Sequence, residues 1–278
     1  MPCIQEADAM KPAICMEMLY PGLEPEQKIE RIARAGFHAI EFWDWRDKHI
    51  PSLQSYAHTY GLSFVNFSGQ RKGDLIDAST HDLLLQEIDM SLEVARALGT
   101  RTLMVLSNEL GEGGRVLHPC SHLSETEKHS NMVTGLKKIL QRLPGDMMII
   151  IEPLNTVLDH EGCYLAHMKD AIRIVEEIGD PHLRVLCDFY HLALMNEDPC
   201  DIIERWAPFI GHVHIADYPG RYEPGTGRGP WKEVLRQLQR ADYRGYVGFE
   251  YSPHTDSDTS LYRVRQLWQE VFGTGAAM

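Results

Sequence analysis

Eight short apolar runs, each followed by a stretch of helical spacing, recur along this 278-residue chain and restrict its fold more than any other feature. The runs are 12–17, 38–42, 63–67, 102–106, 147–152, 183–188, 211–216 and 246–250. They are short, apolar and often β-branched, as strands covered on both faces are. Helices fit 24–35, 51–60, 83–98, 125–143, 165–178, 200–207, 230–240 and 258–272. The third shows the pattern well, with Leu84, Ile88, Leu92, Ala95 and Leu98 on one side. Ser124 and Glu127 form a capping-box pair at a helix start. Gly36, Gly61, Gly99 and Gly179 stand between a helix and the next strand, where a left-handed C′ residue is expected.

Eight strand-helix pairs without a composition break or low-complexity linker predict one α/β domain, a (β/α)8 TIM barrel over 12–278 behind an N-terminal extension at 1–11. An open doubly wound sheet is the competitor. It calls for a glycine-rich phosphate turn after the first strand, and MLYPG (18–22) is not one.

Composition bounds the partners. An apolar content of 44% supplies a sizeable core, and a net charge of −13 repels nucleic acid and anionic membranes. Six cysteines show no CxxC pair, and Cys15 and Cys187 sit in apolar runs as buried reduced thiols. The first ten residues lack a signal-peptide pattern, and no run reaches the ~18 apolar residues of a membrane span. A soluble cytoplasmic protein is expected, and the fold is compatible with a homo-oligomer.

Glu152, Asp188, His214 and Glu250 each end an apolar run, at intervals of 36, 26 and 36 residues. Parallel strands at that spacing bring their C-terminal ends to one face. A carboxylate at a strand end often only caps the next helix. Three carboxylates and an imidazole at one barrel face, however, are a donor set for a divalent cation, with Mn²⁺ or Mg²⁺ expected first and Co²⁺ or Zn²⁺ as alternatives. His191, three residues after Asp188, is a helix-start histidine or a substrate contact. Of His212 and His214 only one is expected to face the centre; His214 is taken, leaving His212 to packing or capping. The glycine- and proline-rich stretch 217–229 is a loop at the site rim, from which Arg221 reaches a carboxylate or hydroxyl of a substrate. Glu41 ends the second run, and Trp43 and Trp45 follow it. All three are second-rank substrate contacts, since such rings also pack barrel mouths. GxSxG, P-loop and dinucleotide motifs are missing. His160 and His167 surround Cys163 without forming a nucleophilic arrangement.

The chain resembles the xylose isomerase-like TIM barrels, through IEPLN (151–155), CDFYH (187–191), GHVHIAD (211–217) and GFEY (248–251). The loop PGRYEPGTG (219–227) is similar to that of the hydroxypyruvate isomerase branch. The resemblance implies that Glu152, Asp188, His214 and Glu250 bind one divalent cation and that the two glutamates act as acid and base. It further implies isomerisation of a small hydroxy-carbonyl compound, of the hydroxypyruvate/tartronate semialdehyde type or a short sugar, through a cis-enediolate. Hydroxypyruvate isomerases often carry glutamine at the position of His214, and ketose 3-epimerases carry histidine. An epimerase, a lyase or dehydratase sharing the enediolate, and a non-catalytic sugar-binding barrel therefore stay open. The endonuclease IV branch has histidines near Ser68 and Asn108 and an Asp-x-His pair after strand seven, which this chain lacks.

Overall fold

A computed structural model describes residues 9–276 and 278. Eight strands pair in chain order: Lys11–Cys15 (β1), Ala39–Phe42 (β2), Ser63–Ser68 (β3), Thr102–Val105 (β4), Met148–Ile151 (β5), Leu183–Asp188 (β6), Ile210–Ile215 (β7) and Tyr246–Phe249 (β8). All neighbours are parallel, and β1 pairs with β8 to close the barrel. The expected (β/α)8 architecture is the one found. Residues 1–8 of the proposed N-terminal extension, with Cys3, lie outside the described residues.

The helices are Pro25–Arg34 (α1), Ile50–Tyr60 (α2), His81–Leu98 (α3), Glu125–Leu140 (α4), Met168–Ile178 (α5), Phe189–Leu194 (α6), Pro199–Trp206 (α7), Trp231–Arg240 (α8) and Ser257–Phe272 (α9). The Ser124–Glu127 capping box is formed, and Gly61, Gly99 and Gly179 close α2, α3 and α5 in the left-handed region. Two differences from the sequence pattern bear on function. The crossover after β6 holds a second helix, α6, whose six residues are too few for a period to show. Its N-cap is Asp188, whose side chain accepts the Tyr190 and His191 N–H groups. Helix α5 begins three residues later than expected, because Leu165 is tied into the preceding loop: its carbonyl accepts from Leu154 N and its N–H donates to Ser107 Oγ.

Strand alternation sorts the side chains into two compartments. Ile14, Ile40, Phe67, Ile149 and Val185 are fully buried in the layer they share with helix residues such as Ile29, Ile32, Leu84 and Ile88. Each contributes about 1.5–3 kcal/mol on burial. The inward positions include small residues that cluster together, Ala13, Ala39 and Val65. Two residues beyond Ala39, the same inward face of β2 carries Glu41. Long connections follow β4, β5 and β7 and rise above the C-terminal face. No helix among the described residues is long and apolar enough to cross a membrane. Cys15, Cys120, Cys163, Cys187 and Cys200 are free thiols.

Candidate metal centre and substrate cavity

Glu152, Asp188, His214 and Glu250 meet at the C-terminal end of β5–β8, all buried, with one ligand atom from each lying within 4.8 Å of the others. Asp188 spends Oδ1 on the α6 N-terminus, at 2.8 Å from Tyr190 N and 3.4 Å from His191 N. Its Oδ2 is buried without a hydrogen-bond partner. His214 places Nδ1 3.2 Å from Glu250 Oε2 and Nε2 3.2 Å from Glu41 Oε1, and neither nitrogen is aligned for a hydrogen bond. Buried polar atoms without partners are costly. Three carboxylates and an imidazole arranged around them suit a divalent cation. The residues present therefore fit such an ion.

Glu250 is held from two further sides. Arg221 Nη2 donates to Oε2 at 2.8 Å, and the Trp43 indole N–H donates to Oε1. Burial acts to raise the Glu250 carboxyl, but Arg221 and His214 outweigh it and hold the group well below the usual carboxylate range. Glu152 is pushed well above that range by burial and by the Asp188 carboxylate. Burial likewise pushes Asp188 up to about 6, against the pull of Arg221. Burial and like charge thus push two neighbouring carboxyls up, while Arg221 and His214 hold the third down.

Arg221 reaches this position because the loop after β7 is tightly pinned. Asp217 accepts the N–H groups of Tyr218, Gly225 and Gly229 at 3.0, 2.8 and 2.9 Å. Buried Glu223 accepts His254 N and Arg263, tying the loop to the end of the chain. Arg221 itself has a φ of +53°, and its guanidinium lies 5.0 Å over the Tyr190 ring. Its head is committed to Glu250, with Asp188 Oδ2 at 3.7 Å.

Above the cluster opens a cavity of about 590 Å³ whose wall includes Glu152, Glu250, His191, Arg221 and Trp43. His191 is buried on the first turn of α6, with Asn155 Nδ2 2.6 Å from its Nδ1. Trp45 and Glu41 do not line the cavity. Trp45 donates to Ser91 Oγ at 2.9 Å and packs towards α3. Glu41 lies beneath the cluster inside the barrel, between His212 Nε2 at 2.9 Å and His214 Nε2 at 3.2 Å. Burial opposes its charge, yet the two histidines bring its carboxyl down to about 2. The expectation that only one of the two histidines faces the centre is corrected. Residues i and i+2 of a strand share a face, so His212 and His214 both point inward. Gly248 on β8 leaves the room for this group, since a Cβ there would come within 1.8 Å of Glu41 Oε1.

Sequence patterning missed Asp44, Arg71, Glu112, Asp159 and His160, which also line the cavity. They stand on loops, where no periodicity marks a side chain's direction. His160 could have been weighed as a wall residue from its place beyond β5, rather than only beside Cys163. That thiol is buried near Ser107 Oγ and Leu165 O, while His160 Nδ1 bonds Gly114 O and His167 bonds Glu197. Ser68 Oγ and Asn108 Nδ2 are spent on the carbonyls of Gln70 and His118.

Fold and site together define a (β/α)8 barrel with a buried carboxylate–imidazole centre at its C-terminal face, opening into a roomy cavity. The sequence pattern of the xylose isomerase-like TIM barrel family matches residues 29–270, and the chain belongs to that family. It is 26% identical over 254 residues to the hydroxypyruvate isomerase of Escherichia coli, covering 88% of this chain and 95% of that one. Among solved structures, an AP endonuclease family 2 protein from Brucella melitensis superposes with a TM-score of 0.83 at 23% identity, over 95% and 99% of the two chains. The 3-keto-D-glucoside 4-epimerase of E. coli superposes at 0.77 and 24%, over 94% and 99%. At such identities these two likenesses speak for the fold alone.

Proposed function

We propose that this protein is a divalent-metal-dependent isomerase of a small hydroxy-carbonyl compound, working by proton transfer through a cis-enediolate. The observation that carries this is the placement of Glu152 and Glu250, each a member of the buried four-residue cluster and each on the wall of the cavity. The E. coli hydroxypyruvate isomerase, similar over nearly its whole length, supports the reaction class.

Glu152, Asp188, His214 and Glu250 would hold Mn²⁺ or Mg²⁺, which supplies Lewis-acid polarisation of a carbonyl next to the carbon that loses its proton. One glutamate takes that proton, and the other, or the same one, returns a proton to the adjacent carbon. Trp43 and Arg221 fix the Glu250 carboxylate by two donors, so its oxygens are aimed before substrate arrives. His191, its Nδ1 occupied by Asn155, offers an Nε2–H to a substrate oxygen. Arg221 adds positive charge beside the developing enediolate.

A ketose epimerase is the second reading, and His214 in the fourth ligand position favours it over a glutamine-bearing isomerase. In that case Glu152 and Glu250 address opposite faces of one carbon. NMR in D₂O with Mg²⁺ and a panel from hydroxypyruvate to four- to six-carbon ketoses tests both. Deuterium entering beside a carbonyl, and lost in Glu152→Gln, supports enediolate chemistry, and the product separates isomer from epimer. Absence of exchange across the panel would refute the reading and point to a lyase or a binding protein.

A further inference from the structure

We propose that the substrate is an uncharged polyhydroxy-carbonyl compound of monosaccharide size or larger, rather than a keto acid or a sugar phosphate. This rests on the isomerase or epimerase reading and narrows it. Three observations carry it: the charge on the cavity wall, the carboxylate beside each arginine, and the volume.

The wall presents five carboxylates, those of Asp44, Glu112, Glu152, Asp159 and Glu250, against the two guanidinium groups of Arg71 and Arg221. Each guanidinium already has a carboxylate beside it. Arg221 donates to Glu250 at 2.8 Å and has Asp188 at 3.7 Å, while Arg71 Nε lies 3.4 Å from Asp44. Among the described residues no lysine or arginine lies within ion-pair distance of Glu112 or Asp159. A divalent ion at the buried centre would offset two charges and still leave the wall negative. Recognition of a carboxylate or phosphate ordinarily uses a free bidentate arginine, a lysine or a cluster of open N–H groups. Both arginines of this wall already face a carboxylate, and no lysine lines it.

What it does offer suits hydroxyl groups. His160 donates Nδ1–H to Gly114 O at 2.7 Å, which leaves Nε2 as an acceptor. His191 accepts at Nδ1 from Asn155 and keeps a donor at Nε2. Burial disfavours the charged form of the His160 ring. Asp159 is fixed by Asn155 Nδ2 at 2.8 Å and the Tyr190 hydroxyl at 2.9 Å, a rigid carboxylate that accepts from a sugar hydroxyl and repels an anion. The remaining wall is apolar, with Met104, Leu106, Leu110 and Leu154 beside the Trp43 indole. Alternating hydroxyls and C–H faces of a sugar match such a mixture of acceptors and apolar surface. The volume of about 590 Å³ falls in the range that takes ligands of many atoms, and a three-carbon acid would leave most of it to water.

The test is a set of dissociation constants on the Mg²⁺-loaded protein, by calorimetry, for the four D-ketohexoses each against its 6-phosphate, and for dihydroxyacetone against hydroxypyruvate. The expected result is that the tightest ligand is a neutral ketohexose and that the neutral member of each pair binds at least about ten-fold tighter. Asp159→Asn should shrink that preference several-fold without inverting it. An anionic member binding as tightly as its neutral partner, or no ligand binding at all, would overturn the proposal. Deuterium exchange on the same ligands keeps the two ideas apart. Exchange confined to hydroxypyruvate overturns the neutral-substrate inference and leaves the isomerase standing. Neutral-selective binding without any exchange does the reverse.

Discussion

Glu41→Gln isolates the part of the centre that no cavity contact explains. In the native protein the carboxylate faces two histidines, His212 Nε2 at 2.9 Å and His214 Nε2 at 3.2 Å. With Glu41 ionised, His214 is favoured with its proton on Nε2, leaving Nδ1 directed at the cluster that contains Glu250. Carboxylates that orient a ligand histidine in this manner set both tautomer and ring angle. For a charged imidazolium the gross attraction across 3.2 Å is about 5 kcal/mol at an effective dielectric of ~20, and a neutral ring donating from Nε2 gains less. Most of it is offset by the desolvation of the buried pair. An amide keeps the shape but presents an NH₂ to one of two rings that both need an acceptor. Loss of such an orienting partner typically weakens metal binding by about 10–100-fold, or roughly 1.4–2.7 kcal/mol. Mn²⁺ titration followed by EPR of free ion, on folded wild type and variant at pH 7.5, reads this directly, and nitrogen coupling in the pulsed spectrum reports the imidazole. Equal affinity within two-fold and unchanged nitrogen coupling would refute the assignment of Glu41 as a positioning residue.

Other consequences follow from the same geometry. Gly248→Ala places a Cβ 1.8 Å from Glu41 Oε1 and 2.7 Å from His214 Cδ2, so the pair must move. Overpacking of this kind costs about 1–3 kcal/mol, read as a lower denaturant midpoint with Mn²⁺ affinity reduced in parallel; a variant with native midpoint and affinity would contradict it. Trp43→Phe removes one of the two donors that aim Glu250, so kcat should drop about 10-fold or more with KM little changed, by steady-state assay on an accepted substrate. The pH dependence has a definite sign. Burial raises Asp188 to about 6, so the metal-free protein loses that contribution to stability as pH rises through about 6. A cation requires the ionised form, so the gain in Tm from added Mn²⁺ should be larger at pH 7.5 than at 5.5. Equal gains at both values would count against Asp188 as a ligand.

The barrel was legible because its strands are nearly all apolar and its helices are long enough to show a period. The four cluster residues were legible for a related reason: a charged residue ending an apolar run stands out, and the fold collects such ends on one face. Glu41 also ends an apolar run. Its role was hidden because it turns inward below the rim, where Ala13, Ala39 and Val65 leave space and Gly248 makes room. His212 shares the inward face with His214, two residues on, and so also reaches Glu41. The rest of the cavity wall was not legible for a physical reason. Asp159, His160 and the Gly111–Gly114 stretch take their directions from turns and from cross-loop bonds such as His160 Nδ1 to Gly114 O. Such bonds join residues 46 positions apart and leave no local trace in the sequence.

Stepwise Mn²⁺ reconstitution of the metal-free protein, with solvent deuterium incorporation into an accepted substrate read at each addition, bears most directly on a single cation serving two glutamates. Incorporation should rise linearly to one equivalent of Mn²⁺ and then stay level, with Asp188→Asn and Glu152→Gln both silent. Full incorporation in the presence of a strong chelator, or in Glu152→Gln at one equivalent, would contradict the assignment of the centre.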